Sequence, residues 1–109
     1  MVTIKLVKKN GSIHSLEADG HCGYGVKGED IVCAGVSSIM QTALLGLLQV
    51  AGIPVDFVVD DEKGYLKFTL PDNLSDKERH DAEVILSTMW LGISDLREGF
   101  SDFIELEEI

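Results

Sequence analysis

Residues 31–53 run for 23 positions without a charged side chain, and whatever this chain folds into must find a place for that segment. Val32, Val36, Ile39, Met40, Ala43, Leu44, Leu47 and Val50 keep helical spacing, which predicts a helix over residues 30–51. Ile31, Leu45 and Leu48 make the opposite side apolar as well. A helix greasy most of the way round is central in a core, shared with a partner chain, or inside a membrane. Ser37, Ser38, Gln41, Thr42 and Gln49 interrupt the run, no basic anchors flank it, and no second span accompanies it. The expectation is therefore a core helix, with a homodimer as the natural use of its second side and no membrane association.

Around that helix the chain reads as short strands. Residues 2–7 alternate, Asn10-Gly11 is a strong two-residue hairpin signal, and residues 12–18 resume as a second strand. Gly52-Ile53-Pro54 stops the helix, because proline cannot continue it. Residues 55–60 and 65–70 follow as two strands around a turn at 61–64. Ser75-Asp76-Lys77-Glu78 has the form of a capping box and opens a second helix reaching Glu98, with Gly99 as its C-terminal cap. Its apolar stripe is Ala82, Ile85, Leu86, Met89, Ile93 and Leu96, and residues 100–107 read as a last strand. The order ββαββαβ predicts an α+β fold, one mixed sheet with two helices packed on a face. At 109 residues it forms a single domain over 1–109, large enough to bury a core without disulfides or metals.

Charge narrows the partners. Nine basic residues against nineteen acidic ones give a net charge of −10, which argues against direct nucleic-acid binding and suits a basic partner. Residues 1–6 alternate and Lys8-Lys9 follows at once, so no signal peptide is expected. Cys22 and Cys33 are too few and too close for a disulfide scaffold. Free thiols in a reducing cytoplasm are expected.

Chemistry concentrates where the loop meets the first helix. Residues 20–29 hold four glycines (Gly20, Gly23, Gly25 and Gly28) and no apolar periodicity, a loop long enough to need a functional reason. His21 lies in it, and Cys33 follows twelve residues later. A thiolate is the nucleophilic form of cysteine, and a helix start stabilises it. With Asp30 as N-cap, Cys33 falls in the first turn, where free amides can also hold an oxyanion. His21 can then accept the thiol proton and return it to a leaving amine. Against this, most cysteines on apolar helices only fill space. The glycines do not make a phosphate cradle, since no Gly-Lys-Ser/Thr follows. His21, Cys22 and Cys33 lack zinc-site spacing, and neither a metal nor a cofactor is expected. His14 falls in a strand and His80 on the polar side of the second helix, both read as solvated.

Gly20-His21, the glycine-rich loop, and Gly28-Glu29-Asp30-Ile31-Val32-Cys33-Ala34-Gly35-Val36-Ser37 together resemble the ribosomal-processing cysteine proteases called Prp. Chain length and element order fit over nearly the whole chain, although only the loop-to-helix segment is specific. The resemblance implies a homodimeric cytoplasmic endopeptidase that removes the N-terminal extension of a large-subunit ribosomal protein during ribosome biogenesis, cleaving after a phenylalanine. It assigns Cys33 as nucleophile and His21 as general base and acid. Asp30 and Ser37 match recurrent positions: Asp30 orients His21 or caps the helix, and Ser37 supports packing and hydrogen bonding. The loop of Gly20, Gly23, Gly25 and Gly28 becomes a lid that orders around substrate. Cys22 departs from the family, where a small residue usually follows the histidine; it packs as a small residue or pairs with Cys33 on oxidation. The alternatives are a non-catalytic homodimeric ribosome-assembly or binding module and a thiol redox module. Acidity adds an expectation of its own: cleavage of free, newly made basic substrate rather than substrate inside the ribosome.

Overall fold

The computed structural model describes residues 1–20, 29–60 and 62–109, with only the backbone of 29 and 30. Strands β1 (Val2–Lys9) and β2 (Ser12–Asp19) are joined at Asn10, φ 55°, and Gly11, φ 81°. Two successive positive φ values are what a tight hairpin with the sheet's own twist requires. Then come α1 (Glu29–Leu45), a π-helical turn over Gly46–Val50, β3 (Asp56–Asp60), β4 (Tyr65–Thr69), α2 (Asp76–Gly99) and β5 (Ile104–Glu108). The expected ββαββαβ order is the one observed.

The strands form one sheet in the order β3-β4-β2-β1-β5. Only the β1–β5 pair is parallel, which makes the sheet mixed. Alternation divides it into two sides. Ile4, Leu6, Leu16, Leu66, Phe68 and Ile104 are buried and share a single core with Val32, Val36, Met40 and Leu47 and with Leu86 and Ile93 of α2. The other side is polar. There the register sets Glu107, Lys5, Glu17 and Lys67 side by side across four strands, in alternating sign. The helices approach closely at Gly35, where a Cβ would sit 3.2 Å from the Leu96 side chain.

Three boundaries differ from expectation. Helix α1 opens at Glu29, so Asp30 lies inside its first turn and is not the N-cap. The helix also does not continue regularly to Ala51. Ala51 donates to the Gly46 carbonyl, five residues back, at 2.9 Å. The wider turn rotates the apolar stripe, leaving Val50 at 85% exposure while Leu47 and Ile53 are buried. Finally, α2 includes Gly99, and Phe100 is the cap, its N–H reaching the Leu96 and Arg97 carbonyls. Phe103 then donates to the Phe100 carbonyl, and this turn delays the last strand to Ile104. The capping box forms as expected, Ser75 Oγ accepting from the Glu78 amide and Glu78 accepting from the Ser75 amide.

Candidate active site

Helix α1 packs into the core with the sheet, and its Cys33, Ser37 and Gln41 share one line because they are four residues apart. All three border a cavity of about 260 Å³. Strands β1, β2 and β4 contribute Val2, Ala18 and Leu66 to it, α1 adds Val36 and Met40, and β3 adds Val59. Apart from Cys33 and the linked Ser37 and Gln41 the lining side chains are almost wholly apolar, suited to a bulky hydrophobic group. Gln41 Nε2 donates to Ser37 Oγ at 2.8 Å, which fixes both polar side chains along the helix edge of the cavity.

Gly20 closes the rim. Its φ is 148°, and a Cβ there would strike the Met1 carbonyl and lie 2.8 Å from Val2 Cα. Its N–H donates to the Gly64 carbonyl at 3.3 Å, tying the end of β2 to the β3–β4 turn. The chain must therefore pass this point as glycine, directly before the segment that carries His21.

The structure thus gathers Cys33, Ser37 and Gly20 about one cavity. Asp30 is in the first turn of the same helix. His21, Cys22, Gly23, Gly25 and Gly28 lie outside the described residues, and so does the expected lid. Neither described histidine approaches Cys33: His14 borders a separate polar cavity at the far end of the sheet, beside Lys9 and Asp72, and His80 is exposed on α2.

Two expectations about Cys33 change. With α1 opening at Glu29, Cys33 starts the second turn and its own amide is used inside the helix. The amides left over for an oxyanion are those of the preceding turn. The sulfur is also not a free thiol here; Cys33 is disulfide-bonded. A partly buried cysteine at a cavity wall is open to oxidation, whereas a sealed core cysteine is not. Gln41 was not anticipated. The available signal was its four-residue spacing from Ser37 and Cys33 within an otherwise apolar segment.

A mixed five-stranded sheet under two helices, with a cysteine at the start of the first helix facing an apolar cleft, belongs to a class of thiol peptidase. The chain is a cysteine-type peptidase and belongs to the family described as Cysteine protease Prp, which matches residues 1–105. It is 28% identical over 107 residues to the ribosomal processing cysteine protease Prp of Staphylococcus aureus strain Mu50, covering 97% of each chain. Among solved structures it resembles one from Streptococcus mutans, with a TM-score of 0.88 and 28% identity over all of this chain and 94% of the other. It also resembles the essential S. aureus protease Prp in complex with a covalently linked product peptide, with a TM-score of 0.84 and 25% identity over the whole of both chains.

Proposed function

We propose that this chain is an endopeptidase that removes the N-terminal extension of a large-subunit ribosomal protein during ribosome biogenesis. The observation that carries the reading is Cys33 on the wall of an apolar cavity, in a family whose S. aureus member has been captured with a covalently linked product peptide. His21 takes the thiol proton, and the Cys33 thiolate attacks the scissile carbonyl. The amides of the first turn of α1 hold the tetrahedral oxyanion. Collapse expels the amine, which takes its proton from His21, and leaves a thioester on Cys33. Water, deprotonated by His21, then hydrolyses the thioester and restores the thiol. Asp30, no longer a cap, is assigned to orient His21. The cavity beside Cys33 takes the hydrophobic side chain next to the scissile bond.

The enzyme works in the cytoplasm as a homodimer, on a basic peptide drawn in by its negative charge. The deciding experiment is mass spectrometry of the ribosomal protein's N-terminal peptide, incubated under reducing conditions with wild type and with Cys33→Ala. Cleavage by wild type alone is expected. Cleavage by both proteins sinks the role of Cys33, and cleavage by neither sinks the peptidase reading and leaves a non-catalytic binding module.

A further inference from the structure

The two edges of the sheet are not alike. Strands β3 and β5 are the two ends of the sheet, and among the described residues neither has an outer neighbour. An exposed edge invites pairing with other chains, and charged residues normally blunt it. Strand β5 is blunted in this way, with Glu105, Glu107 and Glu108 among its five residues. Strand β3 carries charge only at its ends, Asp56 and Asp60. Between them Phe57, Val58 and Val59 are 51%, 56% and 41% exposed.

The register shows what these side chains face. Phe57 stands opposite Phe68 and Val59 opposite Leu66, so both point to the helix side of the sheet. Phe68 and Leu66 are buried under the helices, but one strand further out Phe57 and Val59 stay exposed, with no described element over them. Asp56, Val58 and Asp60 point to the open side. Val59 also borders the cavity that Cys33 faces, so the uncovered apolar strip runs directly into the candidate active site.

We propose that β3 is the docking edge for the substrate, which adds to the sheet as a sixth, extended strand. This rests on the peptidase reading above. An extended peptide turns successive side chains to opposite sides. One set of alternate residues therefore packs on Phe57 and Val59, and the other meets Asp56 and Asp60. The preferred segment is an alternation of apolar and Lys or Arg residues. Main-chain hydrogen bonds to β3 supply affinity, and the alternation supplies selectivity. A second copy of this chain fits the edge poorly. In the symmetric antiparallel register centred on Val58, Asp56 of each copy would stand opposite Asp60 of the other, and like charges directly opposed are destabilising.

The test uses two variants of β3 residues outside the cavity lining, Asp56→Lys/Asp60→Lys and Phe57→Ser, in the full chain. Two fluorescent peptides span the same cleavage site: one also carries an alternating Leu/Lys segment, and the other lacks that segment. For the long peptide Asp56→Lys/Asp60→Lys should raise KM about tenfold and Phe57→Ser about threefold, both with kcat unchanged, as two and one lost cross-strand contacts predict. The short peptide should be unaffected. A long peptide with Glu in place of Lys should recover affinity on Asp56→Lys/Asp60→Lys. Anisotropy with Cys33→Ala protein should show N-methylation of alternate peptide residues abolishing binding. Unchanged KM for the long peptide, or no rescue by the Glu peptide, overturns the docking edge. So does conversion of a wild-type dimer to monomer by either variant, which gives the edge to a second copy. Failure of the peptidase reading looks different: the long peptide would still bind β3, yet wild type would cleave neither peptide.

Discussion

Gly20 and Cys33 set the strictest single-residue demands on the site, for opposite reasons. Gly20 is constrained by space and backbone: φ 148° together with the nearby Met1 carbonyl leaves no room for a side chain. Gly20→Ala should cost about 1–3 kcal/mol of stability, read as a lowered urea midpoint, because the change forces β2 and the N-terminus apart. In the proposed mechanism Cys33 is constrained by chemistry, since its sulfur must be a thiolate to attack a carbonyl, yet it is disulfide-bonded here. Protein prepared without reductant should therefore be inactive, and dithiothreitol should restore cleavage along with one reactive thiol at Cys33. Full activity without reductant, with Cys33 unlabelled by iodoacetamide, would show the disulfide to be compatible with turnover and the assignment of Cys33 wrong. The cysteine and the obligatory glycine were legible as letters in a motif. Gln41 was not, because its meaning comes from a 2.8 Å bond to Ser37 at the edge of a cavity assembled from four other elements.

Elements whose ends are fixed by local hydrogen bonds were readable from the sequence, and those fixed by distant packing were not. Asn10-Gly11 and the Ser75–Glu78 box each close on themselves within four residues, so the letters suffice. The π-helical turn after Leu45 answers instead to the docking of Leu47 and Ile53 in the core, which no local pattern announces. The box also gives α2 an acid-sensitive start. The Ser75 amide and hydroxyl beside Glu78 hold its carboxyl below the usual carboxylate range. A carboxyl depressed on folding stabilises the folded state above its ordinary pKa, and this contribution disappears as pH falls through the lower, folded value. Glu78→Ala should lower the urea midpoint at pH 7, because the carboxylate that accepts from the Ser75 amide is lost. The difference in urea midpoint between wild type and this variant should shrink steadily from pH 5 to pH 2. A difference that stays constant over that range would mean the Glu78 carboxylate adds nothing to the cap.

At the scale of the whole molecule, the core uses only part of the apolar surface that the helices carry. Ile31–Val50 is long and apolar enough to cross a membrane, but Val32, Val36, Met40 and Leu47 lock one side of it onto the sheet. The side away from the sheet leaves Ile31 and Leu45 at 70% and 53% exposure, and α2 adds Val84 and Leu91 at 53% and 71%. Between the helices runs an open groove of about 460 Å³ bordered by Ile39, Ala43, Ile85 and Met89. Contiguous apolar surface of this kind marks an association site, and the proposed homodimer covers it helix against helix. Light scattering at micromolar concentration should give twice the 11.9 kDa chain mass, and Val84→Lys/Leu91→Glu should give the single mass with an unchanged far-UV circular dichroism spectrum. A wild-type monomer would remove the dimer from the proposal. In the proposed homodimer, two chains would double the negative charge available to draw in the proposed basic peptide. Because salt shortens the Debye length from about 10 Å at 0.1 M to about 3 Å at 1 M, kcat/KM for a Lys-rich peptide should fall over that range while a neutral peptide is little affected. The same field repels RNA, so free substrate should be cleaved faster than substrate within intact ribosomes, most clearly at low salt. Equal or faster cleavage on the ribosome at low salt would show that the acidity serves solubility rather than substrate capture.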